Sequence, residues 1–303
     1  MLKRTLCFEN AGFIHVRESQ LVFEQRGGRE IRVAPVEDVG YVILENVQVC
    51  VTAYALQALT EAGAVVLVCD SRHLPASVLL PLAGHTRAQS VTDAQLTASA
   101  SLKEKLWKQT VVAKIRNQAE CLRRNGKTEF AELTDLGNFV HGNDADNREG
   151  IAAAKYFKAW GIVRTNSGDS DNYFPNPALN YGYTVLRAAM ARALAGSGLL
   201  CLRGIHHHNQ YDALPLADDI MEPYRPFVDD LVLSGEPPFK DIPDDSTTVS
   251  HDMKKALLRL LAADVIINGM RRPLANALSY TSASLASCFE GKETKISYPE
   301  FAK

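Results

Sequence analysis

The sequence predicts an α+β chain, with a β-rich first part and a larger all-α second part. Three observations lead there. Up to about residue 85, apolar residues come in short runs of strand length, separated by turn residues. From about Asp93 onward they recur every three to five positions, as on one face of a helix. The change between the two patterns falls between residues 85 and 95, which places the domains at 1–88 and 89–303.

In the first part, Leu21–Glu24 and Glu30–Val33 flank Arg26-Gly27-Gly28-Arg29, a hairpin signal. Tyr41–Leu44 is a further strand, and Tyr54–Leu59 a short helix ending near Gly63. Ala64–Cys69 is a continuous apolar run, as expected of a strand buried on both faces. Asp70 and the following Ser71-Arg72-His73-Leu74-Pro75 read as a loop, with Asp70 capping it.

In the second part, Leu102, Leu106, Val111, Ile115 and Ala119 mark a long amphipathic helix that stops at Asn125-Gly126. Another helical stretch leads to the polar loop around His141–Asn147. After it, Arg148–Phe157 forms an Ala-rich helix with Glu149 at its head. That carboxylate is either a helix-start charge or a group aimed into a pocket. Ser167–Asn176 reads as a loop, and Ala178 to about Ala195 as a helix with Gly182 inside it. Val228–Ser234 is helical, Gly235–Thr248 a loop, and Met253–Asn268 a strongly amphipathic helix. Pro273–Cys288 adds a helix, and Lys295–Phe301 reads as a tail.

Composition excludes several classes. Hydrophobic residues make up 46% and charged residues 22%, ordinary for a globular protein. No apolar run reaches the length of a membrane span, and the opening MLKRTLCFENAGF lacks the apolar core of a secretion signal. The six cysteines are scattered without a CxxC pair, so reduced thiols and a cytoplasmic location are expected. There is no P-loop or GxGxxG to hold a nucleotide cofactor.

The net charge is −2, but it is unevenly spread. Between Ser101 and Phe130 eight Lys/Arg face three Glu, whereas ten acidic residues fall between Asp212 and Asp245. A basic helix and an acidic pocket suit a metal-dependent phosphodiester enzyme, one holding the backbone and the other the metal. Lys108, Lys114, Arg116 and, further on, Arg225 are the candidate phosphate contacts. Two solvated helical faces would read the same way.

The stretch Gly204–Pro226, GIHHHNQYDALPLADDIMEPYRP, gathers histidines, carboxylates and an arginine. Asp219 and Glu222 are three apart on a predicted helix, and Asp218 and Glu222 four apart. Like charges at that spacing call for a cation between them, a role for a divalent metal with His207 or a neighbour as nitrogen ligand. A solvated acidic helix start is the alternative.

Several segments together resemble the CRISPR-associated integrase family, the larger protein of the spacer-acquisition complex. They are Cys69-Asp70 with His73-Leu74-Pro75, Leu80-Pro81-Leu82 with Gly84-His85, and Leu106-Trp107-Lys108 with Lys114–Gln118. They continue with Arg148-Glu149-Gly150, Asn180–Tyr183, Gly204–His207 and Asp219–Pro226. Their order and spacing carry the resemblance across nearly the whole chain, and the His-His-Asn form is most similar to the type II branch.

The resemblance implies an N-terminal β-sandwich-like dimerisation domain, a helical catalytic domain and a homodimer. It implies metal ligands at Glu149, His207 and Glu222, with Asp219 supporting the site and His206 or His208 selected instead by a one-residue slip. Asp218 is left as a solvated neighbour. The implied metal is Mg²⁺ or Mn²⁺, and the implied partners are double-stranded DNA, a small dimeric partner protein and further type II adaptation proteins. The implied reaction joins DNA 3′-hydroxyl ends into a repeat array, with nicking of branched DNA as a related activity. A water-using metal nuclease and a non-catalytic DNA scaffold are the rivals.

Overall fold

The computed structural model describes residues 3–28, 31–70, 75–80, 86–142, 144–162 and 173–302. Expectations for residues 71–74, 81–85 and 163–172 lie outside the described residues. The chain divides into two compact units, 1–86 and 87–303.

The first unit contains two four-stranded sheets. One has the order β1 (Arg4–Phe8), β5 (Val39–Leu44), β7 (Val65–Cys69), β8 (Pro75–Leu79). In it β1–β5 and β5–β7 run parallel and β7–β8 antiparallel. Residues 39–43 of β5 are all buried, which is why VGYVIL reads as an unbroken apolar run and not as an alternation. The second sheet has the order β4 (Ile31–Pro35), β3 (Gln20–Gln25), β2 (Gly12–Arg17), β6 (Val49–Val51). Here β3 and β4 form the expected hairpin, and Leu21 and Phe23 face inward while Glu24 faces out. Helix α1 (Ala53–Glu61) starts at Thr52, whose hydroxyl accepts the Ala55 N–H at 3.1 Å. Phe8, Ile14, Phe23, Val42, Leu59 and Val66 bring both sheets and α1 into one core.

The second unit is built on α3 (Ala100–Arg124), capped by Ser99. Before it lies α2 (Ala88–Leu96), and after it α4 (Phe130–Asn138), α5 (Arg148–Ala159) and α6 (Asn176–Gly196). Then come α7 (Pro215–Met221), a 3-10 turn Glu222–Tyr224, α8 (Arg225–Leu233) and α9 (His251–Arg259). Gly182 in α6 is a close-approach position, since a Cβ there would meet Val228 Cγ1 at 2.5 Å.

Three expectations need correction here. The second unit is not all-α. Met253–Asn268 is not one helix: after α9 and a 3-10 turn the chain enters β9 (Asp264–Ile267) and returns as β10 (Met270–Pro273). Val265 and Ile266 fit a helical stripe, but they are β-branched and precede Asn268-Gly269, whose φ values of 51° and 73° suit a tight two-residue hairpin turn. Nor is the C-terminal stretch a loose tail. After α10 (Leu274–Phe289), β11 (Glu300–Phe301) pairs with β9 to complete a three-stranded sheet. The stretch before it lies along α3. Gln109 donates to Thr294 O at 3.0 Å and accepts from Ile296 N at 2.9 Å, and Tyr298 shares a 2.7 Å hydrogen bond with Thr110.

Gly182→Ala tests the close packing of α6. Alanine gains about 1 kcal/mol of helix propensity, whereas overpacking a tight contact costs about 1–3 kcal/mol. The clash with Val228 outweighs the gain, so the urea midpoint falls with an unchanged slope; a rise in the midpoint would show that α8 yields freely.

Candidate active site

The site is assembled on α3, which supplies Trp107, Lys114 and Asn117 from its buried side. Lys114 is only 8% exposed. Its ammonium pairs with Glu149 and lies 2.5 Å from Glu222 Oε2. Burial by itself would push the ammonium's pKa down, but Glu222 and Glu149 outweigh it and hold the group above its ordinary value.

Glu149 is the second residue of α5, and that helix begins where it does because of Asp144. The Asp144 carboxylate accepts the N–H of Arg148 at 2.9 Å and of Glu149 at 3.0 Å, filling first-turn donors that lack intrahelical partners. Glu222 stands where α7 gives way to the 3-10 turn, at the residue before Pro223. Asn117 fixes this turn to α3: its Nδ2 donates to Pro223 O at 2.7 Å and to Pro299 O at 3.0 Å. Glu222 is buried, with Arg225 Nε 3.0 Å from its Oε1. Burial alone would raise its pKa, yet Arg225 and Lys114 bring it below the usual carboxylate value. Arg225 also lies over the Tyr183 ring at 4.8 Å.

The three histidines have different surroundings. His207 Nδ1 lies 2.6 Å from Asp219 Oδ1. Asp219 is fully buried and also accepts the backbone N–H groups of Ile205 at 2.6 Å, His206 at 3.0 Å and His207 at 3.1 Å. Asp219 acts as acceptor in each of these contacts, so Nδ1 is assigned the proton and the neutral ring keeps its lone pair on Nε2. His206 stacks on Trp107 at 4.1 Å with the rings 1° from parallel. Gly204 makes the loop feasible, since a Cβ there would meet His207 O at 2.6 Å and Asp219 Oδ2 at 2.7 Å.

These contacts correct three sequence readings. Asp219 does not face a shared cation with Glu222; it is turned onto the 205–207 backbone and orients His207, which makes it a positioning residue. Asp218 is not a solvated neighbour, because Arg187 of α6 donates to both its oxygens at 2.7 and 2.8 Å and also pairs with Asp212. Lys114 does not belong to an exposed basic track with Lys108 and Arg116. Arg116 is exposed and Lys108 half-buried, while Lys114 points to the buried side of α3, where two carboxylates require a cation.

The donor set of Glu149, Glu222 and His207 fits a divalent ion by chemistry: two carboxylates and an imidazole whose other nitrogen is held by a carboxylate. The buried Glu222 carboxylate has its charge answered chiefly by cations, Arg225 and Lys114. The three ligand atoms are not gathered within 4.8 Å of one another as those of Cys7, Glu9 and Glu45 are. In that second trio burial and Glu45 push the thiol pKa far up, opposing the thiolate a metal needs.

Trp107, Asn117, Asp144 and Arg187 are site-building residues that the sequence did not reveal. Trp107 and Asn117 lie in segments that carried the resemblance, but their partners are about a hundred residues away along the chain.

His207 gives a testable pH dependence. Its hydrogen bond to Asp219 is the main influence raising its pKa above the ordinary histidine value. The imidazolium is therefore favoured in the folded protein. The stability it contributes is present in full below the unfolded pKa and lost as pH rises through the folded one. In metal-free protein, Asp219→Asn is expected to lower the His207 pKa in an NMR titration. The stability advantage of the wild type over this variant is expected to grow as pH falls through that range. An unmoved His207 titration would show that Asp219 does not hold the ring.

Comparison with known proteins completes the picture. The family described as "CRISPR associated protein Cas1" matches residues 6–235. A CRISPR-associated endonuclease Cas1 from Neisseria meningitidis serogroup C is 39% identical over 230 residues, 76% of this chain and 74% of that protein. Among solved structures, a casposase bound to integration product superposes with a TM-score of 0.77 at 18% identity, covering 97% of this chain and 92% of that one. A Cas6-RT-Cas1–Cas2 complex gives a TM-score of 0.72 at 17% identity, covering 97% of this chain and 36% of that one. These low-identity structures share the fold, whereas the extent of the family match and the identity to the meningococcal protein place this chain in the Cas1 family.

Proposed function

We propose that this chain is a metal-dependent DNA integrase of CRISPR adaptation, joining the 3′-hydroxyl ends of captured DNA into the repeat array. One observation supports the reading: Glu149 of α5 and Glu222 of the 3-10 turn both meet the Lys114 ammonium, and the Asp219-held imidazole of His207 lies near enough to act electrostatically on Glu222. Bound there by Glu149, His207 and Glu222, Mg²⁺ or Mn²⁺ would polarise a phosphoryl oxygen and stabilise charge on the entering and leaving oxygens.

The chain's own residues do the rest. Asp219 accepts the hydrogen bond from Nδ1–H, which keeps the proton on Nδ1 and leaves Nε2 as the metal-facing nitrogen. Arg225 and Lys114 offset the carboxylate charge and supply cations for a phosphate. The nucleophile is a DNA 3′-hydroxyl, so no side-chain nucleophile is required. Nicking of branched DNA follows from the same chemistry run in reverse. The casposase structure is bound to integration product and the other is a complex of Cas1 with Cas2, which supports DNA and a small second protein as partners. The sandwich-like arrangement of the first unit and the homodimer belong to this same reading.

The second reading is a nuclease that uses water, favoured by the name endonuclease carried by the relatives. A strand-joining assay separates them. A labelled duplex with free 3′-hydroxyls is mixed with a supercoiled repeat plasmid, the small partner protein and Mn²⁺. Label is expected in the plasmid, lost with EDTA and reduced by about 100-fold or more in Glu149→Ala, His207→Ala or Glu222→Ala. Plasmid cut without label would favour the nuclease. Joining that survives the triple alanine variant would remove the site assignment and leave a DNA scaffold acting by other means.

DNA contact by α3 is a separate prediction. Reversing the charges of Lys108 and Arg116 is expected to weaken duplex binding and lower the salt slope by about two. An unchanged slope would place the DNA elsewhere.

A further inference from the structure

Lys114 stands at the carboxylates where the proposed reaction needs the metal. It is a buried lysine whose ammonium answers Glu149 and Glu222 at once. Three features separate this contact from a permanent structural ion pair. The backbone at Glu222 is positioned without it, since Asn117 holds the following turn through Pro223 O, and Arg225 Nε gives the carboxylate a second charge contact, 3.0 Å from Oε1. Glu149 is likewise positioned without it, because Asp144 anchors the head of α5. Lys114 holds Glu222 Oε2 more by charge than by hydrogen bonding, and another cation can supply that charge.

Two cations cannot share that position. A divalent ion entering between the carboxylates meets the Lys114 ammonium at contact distance, where like charges in a buried setting repel strongly. Lysine ends a flexible four-carbon stem, so it can leave while the helix stays in place. Once displaced it is a cation without its carboxylates, next to the place where DNA phosphate must lie.

Resting on the metal-dependent reading above, we propose that Lys114 is the resident cation of the Glu149–Glu222 pair, that a divalent ion must displace it, and that the displaced ammonium takes a DNA phosphate. Metal and DNA then load together: each strengthens the binding of the other by the same factor, because both draw Lys114 out of the carboxylate pair.

The test is Mn²⁺ binding to the full chain, read by the EPR signal of free Mn²⁺, with and without duplex DNA. Without DNA, Lys114→Met is expected to bind Mn²⁺ at least about tenfold more tightly than the wild type, since no competitor has to leave. Adding DNA is expected to tighten Mn²⁺ binding to the wild type and to change that of Lys114→Met much less. Thermal denaturation in EDTA should show Lys114→Met melting below the wild type, with Mn²⁺ restoring it. Equal Mn²⁺ affinities in the two proteins, both lost on adding Glu222→Gln, would overturn the displacement and leave the metal site standing. Absence of Mn²⁺ binding in either protein would overturn the metal reading and this proposal with it. Should Lys114→Met fail to fold, Lys114→Gln replaces it, and the wild-type arm still decides: Mn²⁺ affinity indifferent to DNA overturns the coupling.

Discussion

A buried charge must be answered by an opposite charge, and the second unit is arranged around that requirement. Glu222 is buried, Lys114 nearly so, and Asp219 completely. Breaking one side of a buried pair typically costs about 3–5 kcal/mol because the remaining charge is left without water or partner. Here the compensation is distributed. Lys114 serves two carboxylates, Arg225 serves one, and Asp219 is satisfied by three backbone N–H groups and the His207 ring. Such a network fixes positions closely while leaving one member, the lysine, able to exchange.

That arrangement depends on a rigid α3. Its buried side is lined with Trp107, Val111, Ile115 and Leu122, and the C-terminal stretch before β11 runs along it, bonded by the side chains of Gln109, Thr110 and Asn117. Asn117 is the joint between packing and chemistry. One amide bonds the carbonyl of Pro223, beside Glu222, and that of Pro299, in the stretch that leads into β11. The small β9–β10–β11 sheet thus bears on the site at one remove, by holding the chain that holds the turn.

Membership of the Cas1 family and the geometry of the site support each other without being the same statement. The family match rests on the pattern of residues 6–235. The reading as a metal-dependent strand-joining enzyme rests on what the side chains in that segment do together. The His207 ring, with one nitrogen committed to a buried carboxylate, is the feature that most narrows the chemistry, since it turns a titratable side chain into an oriented nitrogen donor.

The sequence by itself determined the elements whose signal is local. Short apolar runs marked β3, β4, β5 and β7 of the first unit but not β1, β2, β6 or β8, and helical patterning marked α3, α5 and α6. The acidic and histidine segments could be picked out before any contact was known, because residue type and spacing alone mark them. Local signal failed where two periods fit the same residues. Val265 and Ile266 satisfy a helical stripe and a strand equally, and only pairing with Arg272, Arg271 and Glu300 made them β. The tertiary structure alone decided which charge answers which. Lys114 looked like one more cation on a basic helix, Asp218 like a solvated acid, and Asp219 like a partner of Glu222. That a buried carboxylate orients His207 among the three adjacent histidines likewise depended on the position of Asp219, twelve residues on. The physical reason is common to all of these: electrostatic and hydrogen-bond partners are selected by distance in space, which residue order along one chain does not encode until the helices have packed.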